Sequence, residues 1–185
     1  KLKGSGHPKV IELTDKIFTK ITEAYTTLKH DEKRDLYIRE LEIGQSEAVF
    51  QAEALMDVGL KSLENRRYVE ALKIFEELKN STHPPTDTFI YYIWSKLKSG
   101  LSANNRKAEI EELTRMINRV PAEDRHTPHY FYAKGLLFIA IENYERALRC
   151  MENALAINPK FLPAKRDELR IRRVQESQAE KMSAK

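Results

Sequence analysis

The sequence predicts an all-α protein made of antiparallel helical hairpins. Three observations lead there. Apolar residues recur at spacings of three and four along most of the chain, the signature of amphipathic helices. Period-two alternation, which strands would require, is almost absent. Two windows, Leu55–Leu78 and Phe131–Ala154, repeat one helix-turn-helix pattern in register.

The elements follow in order. Gly4-Ser5-Gly6-His7-Pro8 is an irregular start. From Lys9, the residues Val10, Leu13, Ile17, Ile21, Ala24 and Leu28 place one apolar stripe on a first helix. His30-Asp31 breaks it, and Asp31 is placed to cap a second helix carrying Arg34 to Leu41. Gly44-Gln45-Ser46 reads as another break, followed by a helix over 47–64. The cluster Phe89-Ile90-Tyr91-Tyr92-Ile93-Trp94 has strand-like composition, but no partner strand is in view, so it is read as a buried helix.

In the two repeated windows, Gly59 is followed twelve positions later by Ala71, and Gly135 by Ala147. Phe75 and Met151 then share an offset, as do Leu78 and Ala154. Pro159 closes the second unit, and Pro84 closes the first one position late. A Gly facing an Ala lets two antiparallel helices approach closely, Tyr68 and Tyr144 plug the turn, and the larger residues fill space against the next hairpin. This pattern resembles the tetratricopeptide repeat, over 52–84 and 128–159.

The spacing between Gly59 and Gly135 leaves room for a degenerate middle repeat at 85–127. Its helices are expected at 86–98 and 107–119, with Ile110, Leu113, Met116 and Ile117 facing inward and an insertion in the loop 99–105. The expected organisation is thus a lead-in at 1–43, a short solenoid at 47–160 and a capping helix with a basic tail at 161–185. Such a cap keeps the last hairpin's apolar face from water.

Phe18, Ile21, Ala24-Tyr25, Leu28, Lys33-Arg34 and Tyr37 resemble the third helix and following basic segment of a J-domain, the module that activates an ATP-driven heat-shock chaperone. Lys1-Leu2-Lys3-Gly4-Ser5-Gly6-His7-Pro8 is similar to the loop that precedes that helix in some members. The His-Pro-Asp trigger is not in the sequence, and His7-Pro8-Lys9 is not a substitute for it. On this alignment the chain begins just after the trigger. The family's second helix is then missing beside Phe18, Ile21, Tyr25 and Leu28. Because a large exposed apolar patch is unusual, these residues are expected to dock on the first repeat hairpin or to be covered by another chain.

The resemblance to the repeat family implies a groove lined by the first helices, here Met56, Leu60, Leu63, Tyr132, Leu136 and Ile139. These are mostly apolar, which suits an apolar peptide or an amphipathic helix. Met56 and Leu60 stand where the family's carboxylate clamp has Lys and Asn, so carboxylate capture of that kind is not expected. The competing reading makes these six side chains simple core.

Composition excludes several classes. There are 185 residues, 32% charged, with a net charge of +4. Residues 160–185 hold eight basic against four acidic side chains, the entire excess. Half of that tail's charge is offset and no aromatics interleave it, so a solvated end helix is read in preference to a nucleic-acid surface. No run is long and apolar enough for a membrane span. The single cysteine rules out an internal disulfide and fits a reducing, cytoplasmic setting. His126, His129 and Cys150 have no metal-ligand spacing, His83 reads as a loop residue, Cys150 lacks a paired base, and Glu76-Glu77 and Glu111-Glu112 read as solvated faces. No cofactor, metal or catalytic residue is expected. The functional expectation is an interaction module of a J-domain co-chaperone, taking a protein or peptide client, with the chaperone engaged through residues outside this chain. The alternative is a helical-repeat assembly scaffold without chaperone activity.

Overall fold

The computed structural model describes residues 8–82 and 84–183. Residues 1–7, His83, the last two residues and the tail's side chains beyond Ser177 lie outside the described residues, and with them His7, most of the J-like lead-in loop and the basic end of the tail. The described residues form eight α-helices and no strand: α1 (Pro8–Lys29), α2 (Asp31–Glu64), α3 (Tyr68–Lys79), α4 (Thr88–Ser99), α5 (Arg106–Arg119), α6 (Pro128–Ala140), α7 (Tyr144–Ile157) and α8 (Leu162–Ser183), with a single 3-10 turn at Ala122–Arg125. The chain divides into two units at Phe50/Gln51.

In the first unit, no described residue up to Phe50 is buried. Phe18, Ile21, Tyr25 and Leu28 are 52–62% exposed, so this face finds no cover inside its own unit. The cause is local: residues 8–50 supply no second apolar layer, and Leu36, Ile38 and Leu41 are themselves exposed. The side-chain polar contacts of α1 are short-range. Lys16 donates to Glu12 at 2.6 Å and Lys20 to Glu23 at 2.9 Å, while the hydroxyls of Thr14, Thr19, Thr22 and Thr26 donate to carbonyls one turn back.

Two boundaries are corrected. Asp31 does not cap α2; it stands in the helix's first turn, where a carboxylate suits the positive end of the helix dipole, and it accepts a 2.7 Å bond from Arg34. Gly44-Gln45-Ser46 does not break the helix, because α2 runs through it. A glycine in a helix costs only about 1 kcal/mol against Ala, good helix formers flank it, and the Ser46 hydroxyl is satisfied by Glu42 O at 2.9 Å.

The second unit holds the core. The last part of α2 packs on α3 around Gly59. A Cβ built there would sit 2.7 Å from Phe75 Cζ and 3.2 Å from Ile74 Cγ2. At Gly135 of α6 a Cβ would sit 2.6 Å from Met151 Cε and 3.1 Å from Cys150 Cβ of α7. Ala71, Phe75, Ala147, Met151 and Ala154 are 0% exposed and Leu78 is 1% exposed. The close approach expected from the Gly/Ala spacing is therefore present in both hairpins.

The turns repeat at backbone level too. Arg67 N donates to Ser62 O at 2.8 Å and Ala71 N to Arg67 O at 2.9 Å; Asn143 N donates to Phe138 O at 2.9 Å and Ala147 N to Asn143 O at 3.0 Å. Arg66 and Glu142, at equivalent positions, take φ of 59° and 60°. A side chain strains this left-handed conformation and glycine does not. Glu142→Gly is expected to raise stability by about 0.5–1 kcal/mol, read as a higher urea midpoint at unchanged slope.

The middle hairpin, α4 and α5, lies close to its expected bounds, and the cluster Phe89–Trp94 is helical. Leu113 and Ile117 are buried, whereas Ile110 and Met116 are only half-buried. Lacking the Gly/Ala contact, this hairpin has a polar tie: Lys96 pairs with Glu109 at 2.9 Å, and Glu109 also accepts from Ser102 N at 2.9 Å. These bonds hold the Glu109 carboxyl below its usual range, the Lys96 bond contributing most. Packing then follows chain order, α3 on α4, α4 on α6, α6 on α7 and α7 on α8. Helix α8 buries Ala164, Asp167 and Ile171 and so caps α7, as expected.

Candidate functional site

A cavity of about 700 Å³ opens in the second unit, walled by the end of α2, by α4 and α6, and by the start of α8. A run of aromatic rings forms its floor. Behind this floor, Phe75, which does not itself line the cavity, stacks on Tyr91 at 5.5 Å between centroids. Trp94 meets Tyr132 edge-on at 4.8 Å and Phe161 at 5.9 Å, and His129 meets Phe161 at 5.1 Å. Edge-to-face pairs of this kind add about 0.5–1.5 kcal/mol beyond area burial, so the floor is rigid.

One polar network crosses it. Asp167 of α8, 6% exposed, accepts from Lys98 Nζ of α4 at 2.6 Å and from the Tyr132 hydroxyl of α6 at 2.7 Å. Burial and the adjacent Asp167 carboxylate push the Tyr132 phenol far above its ordinary value, so it stays a donor. Burial likewise raises Tyr91 to about 12. Burial lowers His129, with Asp87 opposing part of that shift.

Two buried groups find no partner among the described residues, Thr88 Oγ1 and Trp94 Nε1, and Trp94 lines the cavity. At the rim stand Arg66, Lys160 and Arg166, none of which forms an ion pair among the described residues, and the acidic Glu64.

Of the six groove residues expected from the sequence, Leu60, Leu63 and Tyr132 line this cavity. Met56, Leu136 and Ile139 belong to the packing of the core or its edge instead. Leu63, Tyr132 and Leu136 are buried. Sequence reasoning missed Tyr91, Trp94, Lys98, His129, Phe161, Arg166 and Asp167. Tyr91, Trp94 and Lys98 sit in the segment assigned to a degenerate repeat, where no register told which side faces inward, while His129 opens the second repeat window and Phe161 the capping segment. Asp167 and Arg166 were absorbed into a solvated tail. A buried aspartate one helical turn after Ala164 and one before Ile171 was the available signal.

Among the described residues no cluster of His, Cys, Asp and Glu could hold a metal, and no helix is long and apolar enough to cross a membrane. Cys150 is buried, which raises its thiol above the ordinary value. The fold and cavity define a class: an all-helical hairpin protein with an aromatic-floored recess. No protein-family model matches the chain, and no curated protein matches it.

Proposed function

We propose that the chain is an interaction module, a short tetratricopeptide-like solenoid in which the cavity between α2, α4, α6 and α8 receives a segment of a client or adaptor protein. The observation that carries this reading is the hairpin built twice with the same turn geometry, set beside a recess that the intervening helix floors with aromatics. Concave, mostly apolar sites with a few convergent polar groups are the usual form of a binding site.

We further propose that the module belongs to a cytoplasmic J-domain co-chaperone, with Phe18–Tyr37 as the third-helix segment. The exposed face Phe18, Ile21, Tyr25 and Leu28 supports this, since a third helix normally packs that face on a second. The chain alone is expected to leave ATP turnover by a heat-shock chaperone unchanged. The same chain joined to a J-domain front half carrying His-Pro-Asp is expected to raise turnover several-fold in a steady-state assay. No stimulation by the joined form would leave the scaffold reading standing.

A further inference from the structure

We infer that the α2/α4/α6/α8 cavity takes an extended acidic peptide with one large apolar or aromatic anchor residue; this rests on the reading of the cavity as a binding surface. Two independent observations on the cavity point to this partner. The first is charge. Lys98 and Asp167 lining it neutralise each other at 2.6 Å. Arg66, Lys160 and Arg166 then remain against Glu64. All four are exposed at the rim, and the recess carries an excess of positive charge where a ligand would enter. The second is the lining. Leu60, half-buried, and Leu162, exposed, give the recess apolar walls beside Trp94 and Phe161, and an apolar or aromatic side chain can cover them.

The chemistry favours peptide over single-stranded nucleic acid, the other polymer that uses cations with aromatics. Base stacking needs a free ring face. Here Tyr132 is 1% exposed, Tyr91 and Trp94 are each 6% exposed, and the rings are spent on one another. An anchor side chain wedged against ring edges, with its carboxylate neighbours at the rim, uses what the cavity offers. The cations come from the first hairpin's turn and from the start of α8, so the expected specificity is for acidic residues flanking the anchor rather than for a free chain terminus.

Trp94 is the single tryptophan of the chain, which makes its emission a direct reporter. The whole chain is titrated with a capped peptide bearing a phenylalanine flanked by glutamates, with counterparts flanked by lysines or serines, and with oligothymidylate. The glutamate peptide is expected to change Trp94 emission saturably and to bind roughly tenfold tighter than the lysine peptide, as a few rim charge pairs of modest strength allow. Added salt should narrow that gap. The exposed-site double variant Lys160→Glu/Arg166→Glu should invert the preference while keeping its helical circular dichroism. Equal binding of all three peptides overturns the acidic preference and leaves the cavity a peptide site. Tighter binding of oligothymidylate replaces the peptide by nucleic acid. Absence of any binding, with Trp94 emission unmoved, removes both the inference and the reading it rests on.

Discussion

Phe75→Ala is expected to lower the free energy of unfolding by about 3–5 kcal/mol, the range for deleting a buried aromatic side chain. Phe75 is 0% exposed and sits where three helices meet. It belongs to α3, its ring tip lies against Gly59 of α2, and its face stacks on Tyr91 of α4 at 5.5 Å. Truncation leaves a void bounded by a glycine on one side and a fixed ring on the other, neither of which can move in to fill it. A domain with total stability of about 5–15 kcal/mol loses a large part of it. Urea unfolding followed by circular dichroism reads the change directly. A loss under about 1 kcal/mol would mean that the first hairpin does not close on α4 as described. The same geometry makes Gly59 less tolerant of a side chain than Gly135. At Gly135 the nearest obstacle is the flexible end of Met151, with Cys150 Cβ behind it at 3.1 Å, whereas at Gly59 it is a held ring at 2.7 Å.

Asp167→Ala is expected to cost about 2–4 kcal/mol, because it strands two donors that no water-exposed surface readily accepts. Lys98 has a side chain only 20% exposed, and Tyr132 is 1% exposed. The loss is mainly that of leaving a cation and a phenol unpaired, so the double variant Lys98→Met/Asp167→Leu should recover the part due to the cation and leave the part due to the Tyr132 hydroxyl. A thermodynamic cycle over the two positions is therefore expected to show a coupling of roughly 1–3 kcal/mol. If the two single losses simply add, the 2.6 Å pair does not hold α8 to α4. Because the network crosses the cavity floor, Asp167→Ala should also loosen the site, and Trp94 emission would shift without any ligand.

Much of the fold was legible in the sequence. The two hairpins were readable because steric closeness leaves a residue-level mark. Glycine at 59 and 135 leaves room for Phe75 and Met151 where a Cβ would collide, and Ala71 and Ala147 are fully buried in the same hairpins, so the repeated spacing announces the geometry. The stop at Ser99 and the cap role of α8 were legible from loop composition and amphipathicity. Gly44 misled because a glycine is only a weak helix breaker, and α2 continues through it.

The cavity was much less legible. Leu60, Leu63 and Tyr132 could be placed by analogy with the repeated hairpins. Trp94 could not, since the middle hairpin carries no Gly/Ala register, nor could Phe161, which stands in a connection; His129, on the same helix as Tyr132, was weighed only as a metal ligand. Asp167 looked like one more charge on a solvated helix. Its role depends on Lys98 and Tyr132, 69 and 35 positions away along the chain.

The sequence by itself determined the all-helical class, the two hairpins and their close packing, because helix periodicity and the size of Gly and Ala act between near neighbours. The tertiary structure alone decided which aromatics line the cavity and that Asp167 is buried and bonded. Those outcomes depend on which distant surfaces meet, and a residue's type carries no record of what lies opposite it after folding.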